Sequence, residues 1–198
     1  STAYPWQDPA GTVTQIKPKL SGIVVLEPQV FGDERGFFVE TFRANSFAEQ
    51  GIDCEFVQDN HSRSRQGVVR GMHFQLLPGQ DKLVRCARGS IVDVVVDIRR
   101  GSPTFGEWEA WELNDENHRQ LFCPVGFAHG FAVLSETADV VYKCSNYYAN
   151  DIERGFKFDD PEVGIEWPSG LELFPSDRDR QAPLLSEIAS DLPFEYAG

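Results

Sequence analysis

A chain of 198 residues fits one domain and at that size buries roughly 70% of its unfolded surface, so a core needs no disulfide or metal staple. Its net charge of −13 argues against nucleic acid or an anionic membrane surface as the main partner, and its longest apolar runs are strand-sized and broken by charge, as in IVDVVVDI, so none spans a bilayer. Cys54, Cys86, Cys123 and Cys144 stand far apart with neither CxxC spacing nor a secretory leader, which is the pattern of free thiols in the cytoplasm.

In chain order, residues 1–15 carry Pro5, Pro9 and Gly11 without periodicity and read as an arm that packs on a neighbour or stays loose. Ile23 to Leu26 is a short apolar strand, and in FGDERGFFVETF a charged turn separates two strand-like runs. Arg35 lies between that turn and the aromatic run Phe37 to Phe42, a setting rigid enough to grip an anion, although charges in a turn are more often simply solvated. Asn45 to Gln50 is the first credible helix, with Ser46 at its N-cap and Gly51 ending it.

Asp59 to Gln75, DNHSRSRQGVVRGMHFQ, crowds polar and basic residues and an imidazole between apolar runs. As a strand it aims His73 and Gln75 at one face, and Arg70, three residues before His73, at the other. For both Arg70 and His73 to serve one site, Gly71 must mark a bulge or Arg70 must lie at the strand's mouth. From His61 to Arg88 the basic residues Arg63, Arg65, Arg70, Lys82, Arg85 and Arg88 face a single acid, Asp81, which suits a small anionic ligand such as a phosphate ester. Arg63, Arg65 and Arg88 fit equally well on a solvated strand edge.

Beyond Gln75 come short β runs broken by Pro78-Gly79, Arg88-Gly89 and Gly101-Ser102-Pro103, the punctuation of a β-sandwich or barrel. In IVDVVVDI, Asp93 and Asp97 alternate with valines, giving one buried and one more polar face. RQLFCPVGFAHGFAVL puts His129 and Phe131 on one parity, and DVVYKCSNYY does the same for Val140, Tyr142 and Cys144. Residues 156–198 are loop-rich, closing with a weak helical pattern from Leu184 to Ile188. No repeat or linker divides the chain, so residues 1–198 read as a single domain.

Two phrases resemble the motifs of the cupin barrels: Gly67 followed after five residues by His73, and Pro124-Val125-Gly126-Phe127-Ala128-His129. The metal ligands of that pattern are depleted. Gln75 stands where a second histidine belongs, and Gln80, Asp81 and Lys82 where a glutamate belongs. A transition metal usually takes three His or carboxylate ligands and is repelled by an ammonium, so the expectation is an all-β, metal-free jelly-roll barrel with a few short helices. A histidine, a lysine, a tyrosine and a carboxylate in a dry barrel suit proton transfer beside a carbonyl: a base removes the α-proton, a cation steadies the enolate and a phenol returns a proton. No serine elbow, nucleotide-binding glycine loop or P-loop competes.

The phrases VFGDERGFFVETF, FVQDNHSRS, GVVRGMHFQ, KLVRCARGSIVDVVVDIR, SPTFGEW, PVGFAHGFAVLSE, YKCSNYY, GIEWP and SDRDRQAP, in this order, resemble the dTDP-4-dehydrorhamnose 3,5-epimerase family from about Gly22 to Pro183. The resemblance implies a cofactor-independent isomerase acting on a dTDP-linked 4-keto-6-deoxy sugar, and a homodimer with strands exchanged between barrels. It implies His73 as the base, oriented by Asp179 from the C-terminal segment, Lys82 facing the C4 oxygen, and Tyr142 as the acid on the opposite face. It further implies that Arg35, Arg70 and His129 bind the diphosphate region, that Glu40, Gln58, Asp59, Asn60, Glu153 and Arg178 make other ligand contacts, and that Tyr148 stacks on thymine. Arg35 and Glu40 are expected from the partner subunit. Taken without the motif, His73 and Tyr142 are ordinary strand core residues and Asp179 a solvated loop acid. The alternatives are a monoepimerase inverting only C3 or C5, a barrel that binds a nucleotide sugar without turning it over, and a metal-dependent oxygenase.

Overall fold

The computed structural model describes residues 13–198, so most of the expected N-terminal arm lies outside the described residues. The strands in chain order are β1 (Val13–Ile16), β2 (Val24–Pro28), β3 (Val30–Asp33), β4 (Gly36–Val39), β5 (Gln58–Arg65), β6 (Val69–Gln75), β7 (Lys82–Arg88), β8 (Ser90–Asp97), β9 (Trp108–Asn114), β10 (Gln120–Cys123), β11 (Phe127–Val133), β12 (Thr137–Cys144) and β13 (Glu153–Gly155). Three short helices accompany them, α1 (Ala44–Glu49), α2 (Asp177–Arg180) and α3 (Leu185–Ile188). A six-stranded sheet, β1-β2-β10-β7-β12-β5, faces a five-stranded one, β13-β6-β11-β8-β9, while β3 and β4 pair only with each other. This is the expected jelly-roll barrel.

Three apolar layers hold it. Between the sheets, Val25, Val84, Ile91, Val95, Leu121, Phe131 and Val140 are buried. Outside the five-stranded sheet, Met72, Phe74, Val94, Val96 and Ala128 are covered by Phe156, Leu185, Leu192 and Phe194. Outside the six-stranded sheet, Val24, Leu26, Leu83 and Phe122 are covered by Phe47 of α1 and by Ile52.

Several local expectations give way. Val13 to Gln15, assigned to the arm, pair with Pro28 to Leu26 of β2. The aromatic run after Arg35 is a strand only as far as Val39. Ser46 lies inside α1, whose N-cap is Arg43 without a side-chain cap, because the chain enters the helix three residues earlier to seat Phe47 on the sheet. IVDVVVDI has no solvated polar face: Asp93 and Asp97 are both 0% exposed, since they share the parity of Ile91 and Val95 and point between the two sheets, while the C-terminal segment covers the opposite face of Val94 and Val96. Asp97 instead collects Ser102 Oγ and Thr104 Oγ1, each donating at 2.6 Å, and Nε of Arg99 at 3.0 Å.

The anticipated bulge is present. β11 pairs His129 with His73 and Phe131 with Arg70, so its register shifts between these pairs. Gly71 makes this possible, with φ +136° and room for nothing larger: a Cβ there would lie 2.7 Å from Gly130 Cα. The parity break turns Arg70 and His73 into the same cavity.

Candidate active site

The cavity is about 510 Å³ and opens between the sheets. His73 and Arg70 on β6 and His129 on β11 line one wall, Lys82 on β7 and Tyr142 on β12 the other, with Arg178 and Asp179 of α2 at the rim. Seven of the residues singled out from sequence are thus brought together.

Nε2 of His73 lies 2.6 Å from Oδ1 of Asp179, whose Oδ2 accepts the Gly71 N–H at 3.2 Å. Asp179 is buried, and it is delivered by α2, whose N-cap Ser176 accepts the Asp179 N–H. Burial pushes this carboxyl upward, but the hydrogen bond and charge of His73, with help from Gly71 and Ser176, outweigh it and hold Asp179 below the ordinary carboxylate range. An ionised carboxylate only accepts, so Nε2 carries the hydrogen and Nδ1 keeps the lone pair that takes a proton.

A second pair stands beside it. His129 Nε2 is 2.6 Å from Oδ1 of Asp93, whose buried Oδ2 has no hydrogen-bond partner among the described residues. Across the cavity, Nζ of Lys82 lies 5.7 Å from the Tyr142 ring centroid, and no ion-pair partner for it is found among the described residues. Arg70 is steadied by Ser64 Oγ, which accepts from Nε at 3.1 Å and from Nη2 at 3.0 Å. Among the described residues no group of three or more His, Cys, Asp or Glu is arranged to hold a metal ion.

The remaining candidates lie elsewhere. Gln58 and Asn60 sit beside the Tyr142 wall on β5, with Gln58 Nε2 donating to Asn60 Oδ1 at 3.0 Å. Asp59 is on the opposite face, paired with Lys143 at 3.1 Å. Glu153 accepts from Gln75 Nε2 at 2.9 Å and lines a neighbouring cavity that also reaches His73, Arg178 and Asp179. Tyr148 is exposed, its backbone N–H donating to Gln58 Oε1. Arg35 and Glu40 do not reach the cavity of their own chain. Arg35 is clasped by Asp33 on the β3–β4 hairpin, and Glu40 by Arg43 at 2.6 Å. Sequence reasoning missed Ser62, Ser64 and Asp93 as parts of the site. The alternation of Ser62 and Ser64 with charged neighbours was the available signal for the first two, and the buried parity shared with Val95 for the third.

Comparison with known proteins identifies the family. The family model described as dTDP-4-dehydrorhamnose 3,5-epimerase matches residues 17–187. A dTDP-4-dehydrorhamnose 3,5-epimerase of Shigella flexneri is 53% identical over 166 residues, 83% of this chain and 91% of the relative. Among solved structures, the dTDP-6-deoxy-D-glucose-3,5-epimerase of Legionella pneumophila in complex with dTDP-4-keto-L-rhamnose superposes with a TM-score of 0.91 at 45% identity, covering 94% of this chain and 100% of that one. A 3'-monoepimerase from Streptomyces bikiniensis in complex with dTDP-quinovose superposes with a TM-score of 0.83 at 38% identity, covering 88% and 90%. The chain belongs to the dTDP-4-dehydrorhamnose 3,5-epimerase family.

Proposed function

We propose that the cavity epimerises a dTDP-4-keto-6-deoxyhexose through its own side chains, with neither metal nor nicotinamide. Nδ1 of His73 takes the proton α to the C4 ketone at C3 or C5, and the C–H electron pair becomes the new C=C bond as the carbonyl oxygen becomes an enolate. Asp179 holds the imidazole in the required tautomer and steadies its positive charge. The Lys82 ammonium faces the enolate oxygen. Tyr142 gives its phenolic proton to the opposite face of the same carbon, which inverts it. Arg70, His129 and Arg178 hold the diphosphate side, with Gln58, Asp59, Asn60 and Glu153 as further contacts and Tyr148 stacking on thymine. Arg35 and Glu40 reach the site from a second copy in a homodimer, and the enzyme works in the cytoplasm as one domain.

The observation that carries this reading is the opposition of an Asp-fixed imidazole on one sheet to a lysine and a tyrosine on the other, across a single cavity. The test is proton NMR of dTDP-4-keto-6-deoxyglucose with the protein in deuterated water, without added metal or nicotinamide. Loss of both the C3 and C5 signals is expected; loss of neither sinks the proposal. A monoepimerase is the second reading, favoured by the 0.83 TM-score to a protein of that activity, and loss of a single signal would establish it. His73→Asn distinguishes an enzyme from a binding protein, since it should abolish exchange and leave ligand binding intact.

A further inference from the structure

The segment that closes the chain lies beyond the family match, which ends at residue 187, yet it is fastened to both strands that carry the histidines of the site. Phe194 is 4% exposed, and its ring stands edge-on to Phe74, the neighbour of His73, with centroids 5.9 Å apart. It also approaches Gly126, in the turn that leads into β11 and His129. With Phe127 it lines a closed cavity of about 10 Å³ whose other walls include His73, Lys82 and His129.

The backbone keeps the ring there. The Arg100 N–H donates to Phe194 O at 2.8 Å and the Tyr196 N–H returns to Arg100 O at 3.0 Å. Next to this ladder the Arg99 guanidinium lies between two rings, 4.6 Å from the centroid of Phe127 and 5.0 Å from that of Tyr196. It is also fastened to the fully buried Asp97 on β8. The tail is therefore tied to the barrel floor by hydrogen bonds, stacking and apolar contact together.

We propose that residues 192–196 form a clasp and that Phe194 is a positioning residue: by filling the floor between β6 and β11 it sets where His73 and His129 stand relative to Lys82. This rests on the proposed epimerase chemistry. An ordinary structural role needs only that the ring be buried, whereas the clasp requires that a hole at this point move the imidazoles.

The test compares Phe194→Ala, Phe194→Leu and the control Phe47→Ala, whose ring is equally buried but packs outside the other sheet. In the deuterium-exchange assay, below all melting temperatures, Phe194→Ala should lower kcat by about 10- to 100-fold with KM within about twofold, because a small misplacement of reacting groups costs rate rather than binding. Phe194→Leu should restore most of it, and Phe47→Ala should lose melting temperature but keep kcat. In the imidazole ¹⁵N spectrum, Phe194→Ala should shift the His73 and His129 signals and Phe47→Ala should not. Equal kcat losses in the two alanine variants, or unmoved imidazole signals, would overturn the clasp. If Phe194→Ala does not fold, Tyr196→Ala, which unstacks Arg99 at the surface, should give a loss of about 3- to 10-fold, and wild-type kcat would overturn the proposal. Should the wild type exchange neither proton, the functional reading falls and the ¹⁵N comparison alone decides the clasp.

Discussion

Gly130→Ala tests how closely the fold sets the site. Gly130 lies where β11 crosses the bulge of β6, and a Cβ there would meet Met72 Sδ at 2.6 Å, Arg70 O at 2.8 Å and Gly71 Cα at 3.2 Å. Met72 is 0% exposed and packs in the apolar layer with Phe156 and Phe194. Ordinary contact begins at 3.4 Å, so the Arg70 carbonyl must retreat by about 0.6 Å and carry both Arg70 and His73 with it. Overpacking of this kind costs about 1–3 kcal/mol, which in a domain of this length lowers Tm by about 2–12 °C. A displacement of that size in a reacting group lowers kcat by about tenfold or more. Calorimetry gives the first quantity and solvent-deuterium incorporation at C3 and C5 the second. Wild-type kcat with Tm unchanged within about 1 °C would refute the reasoning, because the strand gap would then be adjustable and the bulge would not set the position of His73.

Asp179→Asn removes the negative charge that fixes and steadies the His73 imidazole, and should lower exchange by about 10²–10³-fold with KM little changed. Since the folded state holds Asp179 below its ordinary value, its contribution to stability is full above about pH 4 and lost as pH falls through the folded value. Tm measured against pH should therefore drop less steeply at acid pH in Asp179→Asn than in the wild type. Tyr142→Phe should keep deuterium wash-in at the carbon His73 attacks while inversion there falls, seen by NMR as labelled but uninverted sugar. Lys82→Met, which takes away the enolate's cation, should lower kcat by about 10²–10³-fold in the same assay. Burial pushes the thiols of Cys54 and Cys144 up to about 11 and that of Cys86 up to about 12. Iodoacetamide at pH 7.5 should consequently label the native protein far more slowly than the denatured one, as mass spectrometry will count.

The barrel was legible because its strands are short, β-rich and punctuated by Pro78-Gly79, Arg88-Gly89 and Gly101-Ser102-Pro103. The identity of His73, Lys82, Tyr142 and His129 as a group was legible through the family phrases, and the parity conflict at Arg70 pointed to the bulge at Gly71. Other features depend on contacts between distant segments. The burial of Asp93 and Asp97 requires the six-stranded sheet to close over their face of β8, which no alternation within IVDVVVDI encodes. The turning of Asp59 toward Lys143 follows from the register of β5 against β12, and the meeting of Asp179 with His73 spans more than half the chain. The start of α1 was misplaced because Phe47 anchors the helix to the sheet more strongly than a serine cap would fix its first turn.

His73 belongs to one sheet, and Lys82 and Tyr142 to the other. In the proposed reaction a proton therefore leaves the sugar toward one layer of the barrel and a different proton arrives from the other, which ties the handedness of the product to strand register. A slip of one residue in β6 or β12 would turn His73 or Tyr142 away from the cavity. On that mechanism the stereochemical outcome is as durable as the backbone hydrogen-bond ladder that holds the strands of the two sheets in register.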